Sequence, residues 1–247
     1  MKSFCVVQHT YSEFLGLIES QLEKRDIGFA YMRPFVGQAL PGSALQFDAM
    51  FSLGGAFPTM EEEACPWVED EKTLIKIFQQ AKRPVVGIGF GGLLVAEVAG
   101  GTPSEEPFHN LYWTTARATE AGKDDALAQA VDGRRVLVMY NGSVELPGGL
   151  EPILVDDEGR WLAVRPNPLT YGILFRPELK PGMIEDMVME AGRMTPDNIG
   201  EYLESARERW DEMQEVTDKV IVALVKELDL MQERRKAPVF SLKVESP

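Results

Sequence analysis

An α/β fold built on a doubly wound, mostly parallel sheet is what this sequence predicts, and three observations carry the prediction. In the first half, short apolar runs alternate with stretches of helical spacing, the order that builds a parallel sheet covered by helices on both faces. The run Pro84-Val-Val-Gly-Ile-Gly-Phe-Gly-Gly-Leu-Leu-Val-Ala-Glu-Val-Ala-Gly-Gly101 reads as a buried strand, a tight glycine turn and a short helix. The chain has 247 residues and 45% hydrophobic content, enough for one sizeable core or a domain with an appended piece.

The elements follow in order. Ser3–Gln8 is a short apolar strand, and Ser12–Lys24 carries Phe14, Leu17, Ile18 and Leu22 at helical spacing. Ile27–Met32 and Ala49–Leu53 are the next strands, the latter running into Gly54-Gly55. Pro66–Lys82 reads as a helix, with Pro66 in its first turn and Val68, Leu74, Ile75 and Phe78 as its buried face. Pro84–Ile88 is the fourth strand and Gly91–Ala99 the helix after it. Gly101–Glu106 is expected to be a flexible loop. Strands are then expected at Arg135–Tyr140, Pro152–Val155, Trp161–Val164 and Tyr171–Phe175, punctuated by Pro and Gly turns. Residues 182–192 and roughly 198–235 are expected to be helical. Ile199, Leu203, Ala206, Trp210, Met213, Val220, Leu224 and Leu228 form an apolar stripe along the last helix, which packs on its own domain or on a partner. The expected division is an α/β domain over 1–195 and a helical extension over 196–247.

Composition excludes several classes of function. The formal net charge of −14 and a pI near 4.7 repel a phosphate backbone, so nucleic acid is not expected as a partner. No apolar run is long enough to span a membrane, and no leader pattern is seen at the N-terminus. Two cysteines make no disulfide framework, which fits a reducing, cytoplasmic setting. Cys5 sits in an apolar strand, and Cys65 in an acidic loop before Pro66. The two histidines, His9 and His109, are far apart and form no metal-binding pattern. His9 reads as a polar residue at a strand end and His109 as a solvated loop residue. No metal or organic cofactor is indicated, and no phosphate-binding Gly-x-x-x-x-Gly-Lys-Ser/Thr loop is present.

The 84–101 run has the layout of a nucleophile elbow, which lifts one side chain above the end of a sheet. Here the tip is Gly89, which has no side chain. Glycine occupies the strained backbone of an elbow at low cost.

Four stretches, in order, resemble the class I glutamine amidotransferases, and specifically stand-alone proteins similar to the glutaminase domain of GMP synthetase. Val7-Gln8-His9 closes the first strand. Phe51-Ser52-Leu53-Gly54-Gly55 resembles the family's Leu-Gly-Gly turn, followed by Pro66-Trp67 and Glu71. Gly87-Ile88-Gly89-Phe90-Gly91 matches the family's Gly-Ile-Cys-x-Gly elbow, and Tyr171-Gly172-Ile173-Leu174-Phe175-Arg176-Pro177-Glu178 its Gly-x-Gln-Phe-His-Pro-Glu. The resemblance covers roughly residues 3–190 and implies the family's flavodoxin-like α/β sheet.

The departures fall on the chemistry. The family's nucleophilic cysteine corresponds to Gly89 and its catalytic histidine to Arg176. A substrate-holding glutamine corresponds to Leu93, and a His-Gly-Asp-like turn to Tyr140-Asn141-Gly142. Of the catalytic triad only the acid is retained, as Glu178. Glutamine hydrolysis by such a triad needs a thiolate and a base that takes and returns protons. Glycine cannot attack, and arginine stays protonated. Loss of the triad in comparable hydrolases costs about 10⁶ in rate. Cys65, Ser52 and Ser143 are the substitute nucleophiles to consider, and the serines lack a neighbouring histidine.

The expectation is therefore a family member without glutaminase activity that acts by binding a ligand or partner. The alternative is an active enzyme that releases ammonia from glutamine with altered catalytic residues, and a third reading is an interaction module centred on the last helix. The ligand crevice is expected at Gly54, Gly55, Gly89, Phe90 and Arg176, with backbone N–H groups near Gly55 and Phe90 resembling the family's oxyanion donors. It would take a small carboxylate or amide. Arg176 either pairs with Glu178 and closes the site or presents its guanidinium to an anion. Acceptor chemistry would require a separate synthetase or other protein, and a homodimer is a further option.

Overall fold

The computed structural model describes residues 2–55, 65–191 and 197–231. The first half follows the sequence closely. Strand β1 (Lys2–Val7) is followed by α1 (Leu17–Glu23), β2 (Ile27–Met32), β3 (Ala49–Ser52), α2 (Val68–Gln80), β4 (Val85–Ile88) and α3 (Phe90–Val98). A long ribbon comes next, made of β5 (Thr102–Thr115) and β7 (Arg135–Glu145), with β6 (Arg117–Ala118) and α4 (Ala126–Val131) between them. Strands β8 (Leu154–Val155), β9 (Trp161–Asn167) and β10 (Thr170–Ile173) lead to helices α5 (Pro181–Ala191), α6 (Ile199–Glu208) and α7 (Trp210–Glu227).

The eight-stranded sheet has the order β2-β1-β3-β4-β10-β9-β8-β6. The first five of these strands run parallel and the remaining pairings are antiparallel. β5 and β7 form a separate antiparallel pair. Four of the parallel strands, β1, β3, β4 and β10, are buried along most of their length, as expected for strands covered on both faces, whereas the edge strand β2 is half-buried beyond Ile27. One apolar cluster joins the β1, β3 and β4 residues Phe4, Val6, Phe51 and Val86 to Val220, Ile221 and Leu224 of α7. A second, with Val7, Ile75, Phe78 and Leu94, lies under α2 and α3.

Four local expectations are corrected. The helix expected over Ser12–Lys24 begins only at Leu17, because residues 10–13 fold into a hydrogen-bonded turn. Thr10 Oγ1 donates to Glu13 Oε2 at 3.0 Å, and the Glu13 N–H donates back to Thr10 Oγ1 at 3.2 Å. Gly16 then takes φ +52° and lets the chain pass so close to the turn at 178 that a Cβ there would lie 2.1 Å from the Glu178 carbonyl oxygen.

The loop expected at Gly101–Glu106 is instead the start of β5, whose register runs from Thr102↔Glu145 to Thr115↔Arg135 with an irregularity between Ser104 and His109. Pro103 and Pro107 hide this strand from a propensity reading. His109, expected in a loop, lies on it; its ring is exposed and its Nδ1 is 2.9 Å from Asn141 Oδ1.

The single helix expected over roughly 198–235 is two helices with a break at Arg209. The change of core falls one turn past the break: Ile199, Ala206 and Met213, the last already in α7, pack with α5, whereas the stripe from Val216 to Leu228 joins the main core. Residue 192, residues 232–235 and the expected 195/196 boundary lie outside the described residues or at their edge.

Candidate functional site

The carboxyl ends of β1, β3, β4 and β10 meet at one crevice edge, the position where open α/β sheets place their ligand sites. The Leu53-Gly54-Gly55 turn leaves β3 there, the elbow leaves β4, and the chain from β10 brings Arg176 and Glu178. The elbow geometry is present. Gly89 has φ +57° at the start of α3, and its N–H donates to the Ile173 carbonyl at 2.7 Å. The Gly91 N–H donates to the Leu53 carbonyl at 2.9 Å, tying the elbow to the neighbouring turn.

The space above Gly89 is filled by Arg176. A Cβ on Gly89 would lie 3.2 Å from Arg176 Cδ and 3.4 Å from its Nε. A Cβ on Gly54 would lie 2.2 Å from Arg176 Nη2, so the guanidinium rests directly on the glycine turn. Only 1% of the Arg176 side chain is exposed. Its Nε donates to Glu178 Oε1 at 2.5 Å, its Nη2 to Glu13 Oε1 at 2.9 Å and its Nη1 to the Met139 carbonyl at 3.1 Å. These contacts are made in the turn after β10 rather than on the strand itself.

The cluster holds one guanidinium between two carboxylates, and the second oxygen of Glu178 is buried without a hydrogen-bond partner. Burial pushes the Glu178 carboxyl above the usual carboxylate range, against the pull of Arg176. Burial alone would lower the Arg176 pKa, but Glu178 and Glu13 outweigh it and hold the guanidinium charged.

His9 forms a second buried cluster on the same turn. Its Nδ1 is 2.9 Å from the Gly54 carbonyl and its Nε2 is 2.8 Å from Glu71 Oε2. The other oxygen of Glu71 accepts from Ser52 Oγ at 2.7 Å. Both ring nitrogens thus face acceptors, and an imidazole carrying both protons satisfies them. Burial would lower the His9 pKa; Glu71, the Gly54 carbonyl and Glu13 outweigh it and raise the value above 6.5. Phe90 closes over the ring in an edge-on contact at 4.8 Å. Expected only as a strand-end residue, His9 lies two residues past β1 and props the turn.

The other residues singled out in the sequence are placed as follows. Gly54, Gly55, Gly89, Phe90, Arg176 and Glu178 come together; a Cβ on Gly55 would sit 3.1 Å from Phe90 Cγ. Leu93 is buried in the core. Tyr140 is also buried, which pushes its phenol up to about 12. Ser52 donates its hydroxyl to the Glu71 carboxylate, whose other oxygen His9 holds, so no histidine faces that hydroxyl. Ser143 Oγ donates to the Glu106 carbonyl at 2.5 Å. Cys65 is 2% exposed and belongs to the apolar cluster of Val68 and Phe78. Burial pushes the Cys5 thiol up to about 12, with Glu71 adding to it. Sequence reasoning missed Glu13 as a partner of Arg176 and left Glu71 without a role. Among the described residues no helix is long and apolar enough to cross a membrane, and no group of three or more His, Cys, Asp or Glu side chains is arranged to hold a metal ion.

No protein-family model matches the chain. Over 119 residues it is 31% identical to YfeJ of Salmonella typhimurium, a protein named as glutamine amidotransferase-like. That match spans 47% of this chain and 50% of YfeJ, so the chain spans about half the length of the curated relative it matches. Among solved structures, a glutamine amidotransferase from Thermotoga maritima superposes with a TM-score of 0.77 at 17% identity, covering 91% of this chain and 98% of the other. A glutamine amidotransferase from Methylobacillus flagellatus gives 0.78 at 19% identity, covering 96% and 98%. A candidate GMP synthase subunit from Thermoplasma acidophilum gives 0.59 at 12% identity, covering 93% and 97%. At these identities the structural likeness shows the fold. Together, the fold, the partial likeness to YfeJ and the four stretches in order bear out the resemblance: the chain carries the class I glutamine amidotransferase fold and is similar to that family.

Proposed function

We propose that this protein is a glutamine amidotransferase-like protein that does not hydrolyse glutamine and acts by binding a partner protein. The observation that carries this reading is the Arg176 side chain, buried over Gly89 and ion-paired to Glu178 and Glu13. Covalent hydrolysis of an amide needs a nucleophile at the elbow and a base beside it. Gly89 offers no nucleophile, and a guanidinium held between two carboxylates offers no base. A glutamine side chain would have to displace that guanidinium and leave two carboxylates facing each other in a buried site.

A partner protein is better supported than a small carboxylate in the crevice. The Arg176 cluster already holds two carboxylates for one guanidinium, and an anionic ligand would add a third. The superposable GMP synthase candidate is named as one subunit of an enzyme, which is consistent with work done in company. In this reading residues 1–195 are the amidotransferase-like domain and 196–247 a helical extension, and the protein works in the cytoplasm.

The test is ammonia release from L-glutamine by the purified protein, with Cys65→Ala alongside. Both are expected at background. Clear turnover that is lost in Cys65→Ala would overturn the reading and place the nucleophile at Cys65.

A further inference from the structure

Outside the crevice, helices α4 and α7 border an apolar groove of about 350 Å³, floored by Ala126, Ala130 and Ala223 and flanked by Asp218, Val222, Lys226 and Lys219, the last of which has Glu215 at 3.7 Å. Val222 is 55% exposed, although its neighbours in sequence, Ile221 and Ala223, are buried in the core. Asp218, Val222 and Lys226 fall four residues apart on one stripe of the helix, about 6 Å per step. Among the described residues Lys226 has no carboxylate partner, in a chain whose net charge is −14.

We infer that this groove is the contact between two copies of the chain, with α7 of each lying antiparallel on the other and Val222 at the two-fold axis. The charge pattern selects this occupant. An isologous contact requires a self-complementary surface, in which each residue meets its mirror position on the other copy. Asp218 and Lys226 stand equally far from Val222 on either side, so antiparallel pairing sets each Asp218 against the Lys226 of the other copy, twice. The alanines of the floor let the second helix approach closely, and Val222 fills the groove it faces. A contact of one helix pair is smaller than the area of a permanent dimer, so association in the range of about 10 µM is expected.

The experiment is sedimentation equilibrium on the full chain, with Asp218→Lys, Lys226→Asp and the double reversal, each checked for an unchanged melting transition. The wild type is expected to dimerise. Each single reversal sets like charges together and should weaken the dimer by about tenfold or more. The double reversal restores the pairs and should recover most of the affinity. Val222→Cys should form an intermolecular disulfide under mild oxidation, since both native cysteines are buried. A wild type still monomeric at about 300 µM, or a dimer indifferent to either single reversal, overturns the proposal.

Discussion

Two buried charge clusters touch the same Gly54-Gly55 turn, and they treat their carboxylates in opposite ways. Around His9 every group is matched: Glu71 accepts from Ser52 with one oxygen and from the imidazole with the other, and the imidazole reaches the Gly54 carbonyl. Around Arg176 the acids outnumber the base, and one oxygen of Glu178 is buried with no partner. The first cluster has the completeness of a structural prop. The second sets two acids on one guanidinium and leaves one acid in excess. A buried carboxylate should therefore be costly to lose near His9 and cheap to lose near Arg176.

The strongest way to break this comparison is to remove the guanidinium. Arg176→Met leaves Glu13 and Glu178 facing each other without a cation, and urea unfolding should show a loss of about 3–5 kcal/mol. A loss below about 1 kcal/mol would mean that the cluster is solvated in solution. Next, Glu71→Gln places an amide N–H₂ toward either Ser52 or His9, both donors to that residue, and is expected to cost about 2–3 kcal/mol. Gly89→Ala forces a side chain into φ +57° beside Arg176 and should cost about 1–2 kcal/mol.

The His9 pair also gives the protein a pH signature. The folded pKa of His9 is raised above 6.5, so folding binds the proton. The stability from this pair is fully present below pH 6.5 and is lost as pH rises through the folded value, with a slope of at most about 1.4 kcal/mol per unit. His9→Gln should flatten the profile in that window; an unchanged slope would assign the pH dependence to another group. The smallest effect sharpens the comparison most. Glu178→Gln keeps an acceptor for Arg176 Nε and removes the excess charge, so it should change stability by less than about 1 kcal/mol. If it costs as much as Glu71→Gln, the two clusters do not differ in kind.

Much of the parallel half is legible in the sequence because its strands are short apolar runs ending in glycine turns. Ile27–Met32 falls in the expected place to the residue, and Pro84–Ile88 differs from β4 by one residue. The meeting of Gly54, Gly89, Arg176 and Glu178 is legible through the order of the family stretches. The rest depends on contacts distant in sequence. Glu13 reaches Arg176 across 163 positions, and nothing local marks it as a partner. β5 owes its existence to β7, which pairs with it despite two prolines. The break at Arg209 comes one turn before α7 passes from one core to the other, whereas the apolar spacing on either side of it continues a single helix.

The glycines around the elbow show what such a motif reports. A Cβ on Gly87 would lie 2.1 Å from the Gly91 carbonyl oxygen, one on Gly91 would lie 2.1 Å from that of Ser52, and one on Gly92 would lie 2.5 Å from that of Ile173. These three positions are demanded by the bare contact of α3 with the strands beneath it, whatever stands at residue 89. The Gly-x-Gly-x-Gly string is a record of how closely a helix lies on a sheet. Taken alone, the string testifies to that joinery and not to the chemistry of the residue at its tip.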